Sequence, residues 1–108
     1  MPRDYRLYLE DMLVAIDKVE RYVSGSTFEE FTADSLKLDA VLYNLMLIGE
    51  AAKRVPDDLR AEYPSIEWRK IAGLRDLVAH EYFGINLQII WDVVQNKLAH
   101  LRRSVAEI

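Results

Sequence analysis

The chain has 108 residues, 51% hydrophobic and 30% charged, with a net charge of −4 and no cysteine. That composition suits one compact domain covering 1–108 and excludes a disordered chain, a disulfide framework and thiolate metal sites. It also weighs against a protein that coats nucleic acid with broad basic surface, because such binding draws on many phosphate contacts.

The charge is uneven. Residues 1–50 hold five lysines and arginines against ten acids, and residues 51–108 hold nine against eight. The second half can bind a phosphate locally where the first half cannot. The opening MPRDYRLYLED is charged throughout, which argues against a signal peptide. No apolar run approaches about 20 residues, so no membrane span is expected. With no cysteines, a cytoplasmic location fits.

Residues 5–23 read as a first helix, with Leu9, Met12, Leu13, Ile16, Val19 and Val23 as one apolar stripe. Ser24-Gly25-Ser26 ends it. Thr27 and Glu30 form a capping box for a single helical turn, and Phe28 and Phe31 pin that turn to the core. Residues 35–55 form a second long helix with the stripe Leu38, Val41, Leu42, Leu45, Ile48, Ala52 and Val55. Tyr43, Met46 and Leu47 interrupt its polar side, so Tyr43 to Leu47 reads partly as a self-association surface. Gly49 disfavours a helix interior and points to close approach of another backbone. Glu50 beside it is the lone acid between Leu45 and Ala52.

Pro56 ends this helix, and Asp57 to Tyr63 reads as a short helical turn. Ser65 is the expected cap of a third long helix that packs through Trp68, Ile71, Leu74, Leu77 and Val78 and ends near Gly84. Asn86 is the candidate cap of the last helix, whose stripe runs Leu87, Ile90, Trp91, Val94, Leu98, Leu101, Val105 and Ile108. No β-type alternation occurs. The expected fold is all-α: an up-and-down bundle of four main helices plus one or two short ones, paired as a homodimer.

The third helix carries Arg75, Asp76, His80 and Tyr82 within eight residues. At about 100° per residue, Leu74, Leu77 and Val78 point one way and these four share the other side. Asp76 and His80 are four apart, close enough for the carboxylate to orient the imidazole or raise its pKa. Arg75 and Tyr82 stack along one line. Taken singly, each has a structural explanation: a solvated arginine, a histidine favoured by the helix C-terminus, a core-edge tyrosine, a surface aspartate. His100 reads as surface, and Trp68 and Trp91 as core. Together, arginine and histidine suit phosphate chemistry. Arg75 can hold phosphate oxygens bidentately, and His80 can move protons near neutral pH. They suffice in principle for metal-independent RNA cleavage by the ribose 2′-hydroxyl, with no cofactor. That reaction wants two imidazoles, and a symmetric dimer supplies the second.

Arg75-x-x-x-x-His80-x-Tyr82 resembles the signature of the HEPN superfamily, in its HepT-like branch. Ile48-Gly49-Glu50-Ala51-Ala52-Lys53-Arg54-Val55-Pro56 and Trp68-x-x-Ile71-x-Gly73-x-Arg75-Asp76 also resemble segments of that branch, so the likeness spans most of the chain. Where many members have Asn, this chain has Asp76. The resemblance implies an all-helical homodimer whose motifs face each other across a cleft, and an RNase that needs no metal. It implies Arg75 and His80 as catalytic residues, with Asp76 and Glu50 supporting the site. It further implies the toxin of a type VII toxin–antitoxin pair. Its antitoxin would be an MntA-like minimal nucleotidyltransferase that transfers AMP from ATP to Tyr82. Two other readings stay open from the residues themselves. One is a non-catalytic, nucleotide- or partner-binding companion of a nucleotidyltransferase. The other is a dimerisation bundle whose polar cluster is an ion network.

Overall fold

The computed structural model describes residues 4–108. The first three residues, part of the charged start read from the sequence, lie outside the described residues. Helix α1 is Tyr5–Val23, α2 is Phe28–Ala33, α3 is Ser35–Arg54, α4 is Asp57–Glu62 and α5 is Trp68–Glu81. A 3-10 turn, Tyr82–Gly84, leads to α6 (Leu87–Asp92), a π turn (Val93–Lys97) and α7 (Leu98–Ala106). The last three run on as one helix, so there are four long helices and two short ones, and no strand among the described residues. This is the expected all-α bundle, measuring 41 × 27 × 24 Å.

Local chemistry sets the ends. The Asp4 carboxylate accepts from Arg6 N, the Asp34 carboxylate from Lys37 N, and the Asn86 carbonyl from Gln88 N and Ile89 N. Each satisfies donors that a helix start leaves open. The Thr27–Glu30 capping box forms as expected: Glu30 N bonds Thr27 Oγ1 at 3.1 Å and Thr27 N bonds Glu30 Oε1 at 2.9 Å. The bond from the Thr27 backbone foremost, and the Thr27 hydroxyl after it, hold the Glu30 carboxyl below its ordinary pKa. The rings of Phe28 and Phe31 lie 6.0 and 5.1 Å from that of Trp91, which ties α2 to the last helix.

One helix start differs from the expectation. Ser65 does not cap α5; the helix begins at Trp68, with Glu67 in the cap position and no side-chain bond. Ile66 is buried, and Trp68 N bonds its carbonyl at 2.8 Å. The chain thus turns tightly to seat Ile66 in the core before the helix starts.

Met12, Ile16 and Val19 of α1 and Val41, Leu45, Ile48 and Ala52 of α3 are fully buried. Helix α3 lies at the centre, packed on α1 and on α5. Ile90, Val94, Leu98, Leu101 and Val105 close the core from the last helix. The stretch read from the sequence as partly a self-association surface is only partly exposed. Asn44 and Leu45 face inward, and Asn44 Nδ2 donates to the Ala40 carbonyl. Tyr43 and Leu47 remain exposed.

Candidate active site

Helices α3 and α5 run antiparallel, because Gly49 meets Arg75 while Asp39, further back on α3, meets Tyr82, further along α5. Gly49 sets their separation. A Cβ on it would lie 2.5 Å from Arg75 N and 3.0 Å from the Ile71 carbonyl oxygen. The backbone expected to approach Gly49 is therefore that of α5 in the same chain.

This contact delivers Arg75 to Glu50. Arg75 Nε is 3.4 Å from Glu50 Oε2, and Nη1 is 3.2 Å from Asp76 Oδ1. The second Glu50 oxygen accepts from Arg54 at 3.2 and 3.0 Å. Lys53 Nζ stands 3.9 Å from Asp76 Oδ1. Three cations thus surround two carboxylates. The five side chains are 37% to 60% exposed, and exposed pairs are worth about 0–1 kcal/mol each. The cluster orients Arg75 without locking it, so an incoming phosphate can displace a carboxylate.

Asp76 does not orient His80, as its spacing suggested. Its carboxylate turns instead to two positive charges, Arg75 and Lys53. His80 lies exposed in the last turn of α5, and among the described residues no hydrogen bond or ion pair holds its imidazole. Nor does Tyr82 stack in line with Arg75. The α-helix stops at Glu81, whose φ of −124° leaves the helical region, and Tyr82 starts the 3-10 turn. Its hydroxyl donates to Asp39 Oδ1 of α3. That bond is the largest cause that raises the phenol pKa above its ordinary value. Tyr82 is 43% exposed, and its ring meets that of the fully exposed Phe83 edge-on at 5.2 Å.

The structure therefore joins Glu50, Arg75 and Asp76, keeps His80 nearby on the same helix, and anchors Tyr82 elsewhere on α3. Sequence reasoning missed Lys53, Arg54 and Asp39 as neighbours of these groups. The Glu50–Arg54 pair was open to the i,i+4 rule. Asp39 lies 43 residues from Tyr82 and leaves no local signal. His100 is exposed in a different groove, with Glu67 and Lys70. Among the described residues no His, Asp or Glu cluster has the make-up of a metal site, and no helix is long and apolar enough to cross a membrane.

A family model described as "Ribonuclease HepT-like" matches residues 12–108. The protein MJ0127 of Methanocaldococcus jannaschii, named as a candidate RNase, is 40% identical over 100% of this chain and 90% of its own length. TTE0752 of Caldanaerobacter subterraneus subsp. tengcongensis, also named as a candidate RNase, is 38% identical over 95% of this chain and 92% of its own. A Thermococcus cleftensis protein named as a probable ribonuclease HepT is 36% identical over 94% of this chain and 93% of its own. No solved structure matches at a significant level. The segments around Gly49 and Arg75 that resembled the HepT-like branch thus lie within a match running almost end to end, and the chain belongs to the HepT-like ribonuclease family.

Proposed function

We propose that this chain is a ribonuclease that cuts RNA without a metal ion, the ribose 2′-hydroxyl attacking its own phosphodiester. Arg75 holds the phosphate and stabilises the charge of the pentacoordinate state. His80 carries the proton. Glu50 orients the Arg75 guanidinium, and Asp76 supports it from the other side. One observation carries this reading. Arg75 and His80 both reach solvent from α5, with the imidazole uncommitted, in a chain of a ribonuclease family.

The reaction takes one proton from the 2′-hydroxyl and gives one to the leaving 5′-oxygen. One chain offers a single imidazole on the helix of Arg75, so the working unit is a homodimer with a composite site. The outer face of α3 suits the pairing. Leu36, Tyr43 and Leu47, at i, i+7 and i+11, are 81%, 56% and 36% exposed. Val14 of α1 joins Leu47 in a groove that also holds Glu50 and Arg54. The apolar face thus adjoins the acid that holds Arg75.

Residues 1–108 act as one HepT-like domain in the cytoplasm. The protein is the toxin of a type VII toxin–antitoxin pair, held inactive by an MntA-like nucleotidyltransferase that transfers AMP from ATP to Tyr82. A nucleotide on that solvent-reaching phenol, two residues from His80, would fill the phosphate site with negative charge.

RNA cleavage in EDTA tests the core of the proposal. Wild type degrades RNA, while Arg75→Ala and His80→Ala each lose at least about 100-fold, with helical circular dichroism unchanged. Cleavage by both variants at the wild-type rate would end this reading. The net charge of −4 favours a second one, a non-catalytic companion of a nucleotidyltransferase in which Arg75 and His80 bind nucleotide. Purified protein that binds nucleotide and never cuts RNA would establish it.

A further inference from the structure

A shallow groove of about 680 Å³ runs between α4 and α5. Lys53, Arg60, Arg69, Ala72, Gly73 and Asp76 line it. Asp76 and Lys53 also belong to the Arg75 cluster, so the groove opens onto the candidate site.

Gly73 is the unexplained residue in it. Glycine is disfavoured in a helix interior, and Gly73 lies mid-way along α5. At Gly49 a close helix contact accounts for the missing side chain. At Gly73 a Cβ would meet nothing within 4 Å. No packing inside the chain calls for glycine there, and the free space above it lies in the groove. A bare stretch of backbone in an open groove suits close approach of something from outside the chain.

The charges name the visitor. Lys53, Arg60 and Arg69 line the groove with Asp57 and Asp76, three cations against two acids, while the remainder of the chain carries eleven against sixteen. A locally positive groove on an acidic protein attracts and steers an anion. Arg69 is exposed and has no acidic partner among the described residues. None of the exposed large apolar side chains lines this groove, which a protein partner would use; those of α3 face elsewhere.

We infer that this groove is a flanking subsite for single-stranded RNA, with Arg69 and Lys53 on backbone phosphates and the strand crossing over Gly73. Arg69, Gly73 and Asp76 stand at i, i+4 and i+7, on one face and spanning about 10 Å. At about 3.4 Å per stacked nucleotide, that holds roughly three nucleotides beyond the scissile phosphate. The contacts are to phosphates, so the subsite raises affinity without selecting sequence. The inference rests on the ribonuclease reading for its chemistry and on the groove alone for its location.

The test compares a dinucleotide and an octanucleotide of RNA in EDTA, using wild type, Arg69→Ala and Gly73→Glu. KM for the octanucleotide rises about five- to tenfold in each variant, kcat stays within twofold, and the loss on the dinucleotide is smaller. The salt dependence of binding falls by about 0.7 in log–log slope in Arg69→Ala, for one lost phosphate. Binding of the octanucleotide to His80→Ala protein, with and without each groove substitution, separates the two readings. Weakened binding without any wild-type cleavage upholds the groove and overturns the ribonuclease reading. Normal cleavage with KM unchanged in both variants overturns the groove. A shift in sedimentation with RNA binding intact assigns the groove to a protein partner and overturns it as well.

Discussion

Replacing Gly49 by alanine tests whether the α3–α5 contact sets the candidate site. The added methyl would lie 2.5 Å from Arg75 N, and 3.0 Å from both Arg75 Cβ and Ile71 O. None of these atoms can swing aside, since each is backbone or bonded directly to it. Favourable contact begins near about 3.5 Å, so the helices must part by about 1 Å. Overpacking of this kind costs about 1–3 kcal/mol, and alanine returns about 1 kcal/mol of helix propensity. The net is a loss of up to about 2 kcal/mol, which lowers Tm by roughly 4–8 °C per kcal/mol in a chain this size. Activity falls further than stability. The clash is with the backbone of Arg75 itself, so the guanidinium leaves its 3.4 Å pairing with Glu50. A displacement of about 1 Å at a reacting group costs on the order of 100-fold. Urea unfolding followed by circular dichroism, beside RNA cleavage in the same buffer, measures both effects. Gly73→Ala is the control: nothing lies within 4 Å there, so the same substitution should stabilise by about 1 kcal/mol. A Gly49→Ala protein as stable as Gly73→Ala, and cutting at the wild-type rate, would show that the α3–α5 contact does not position Arg75.

Asp76→Asn should lower KM for RNA about fourfold with kcat nearly unchanged. The carboxylate sits 3.2 Å from Arg75 Nη1, where a phosphate would arrive, and an anion about 5 Å from that phosphate costs about 0.8 kcal/mol in water. A fall in kcat with an altered pH profile would instead tie Asp76 to His80. At Tyr82, the bond to Asp39 favours the neutral phenol in the folded state and raises its pKa. Its contribution to stability is complete below the ordinary value of about 10 and is lost as pH rises from there through the raised folded value. Asp39→Ala should return the phenol to the ordinary range, read by ultraviolet difference titration against Tyr82→Phe. An unshifted titration would show that the contact does not form in solution.

Periodicity made the four long helices legible, because each buries a stripe that its spacing announces: Met12, Ile16 and Val19 on α1, Val41, Leu45 and Ile48 on α3. The capping box was legible for the same reason, a local rule with both partners three residues apart. The site was legible only in part. Arg75, Asp76 and His80 do lie on the solvent side of α5. The wheel failed at Tyr82 because it assumes an unbroken helix, and the helix breaks at Glu81. It failed for Asp76 because spacing says which groups can meet, while the nearest cations decide which do, here Arg75 beside it and Lys53 on α3. The cap at Ser65 failed because burying Ile66 outweighed one side-chain hydrogen bond.

The composite site proposed above places a geometric demand on α3. Tyr43, Leu47 and Glu50 fall within about 60° of one another around the helix, so a second copy seated on Tyr43 and Leu47 must lie against Glu50 as well. Two arrangements bring identical α3 faces together. A two-fold axis along α3 sets the partner's α5 over α1, leaving the two polar stretches apart. An axis across α3 runs the two copies of α3 antiparallel and sets α5 against α5. Arg75 lies level with Gly49 and Tyr82 with Asp39, which by interpolation puts His80 roughly level with Tyr43. An axis crossing α3 near Met46 therefore brings the partner's imidazole level with Arg75, supplying the second proton carrier. Residues on the axis meet their own copies, so a cysteine in place of Met46 should cross-link the homodimer rapidly on oxidation. Cysteines in place of Leu36 and Lys53, ten and seven residues from that level, should not, because about 10 Å or more along the helix exceeds disulfide reach. Cross-linking at Leu36 in preference to Met46 would put the axis elsewhere and leave the two imidazoles too far apart to share one phosphate.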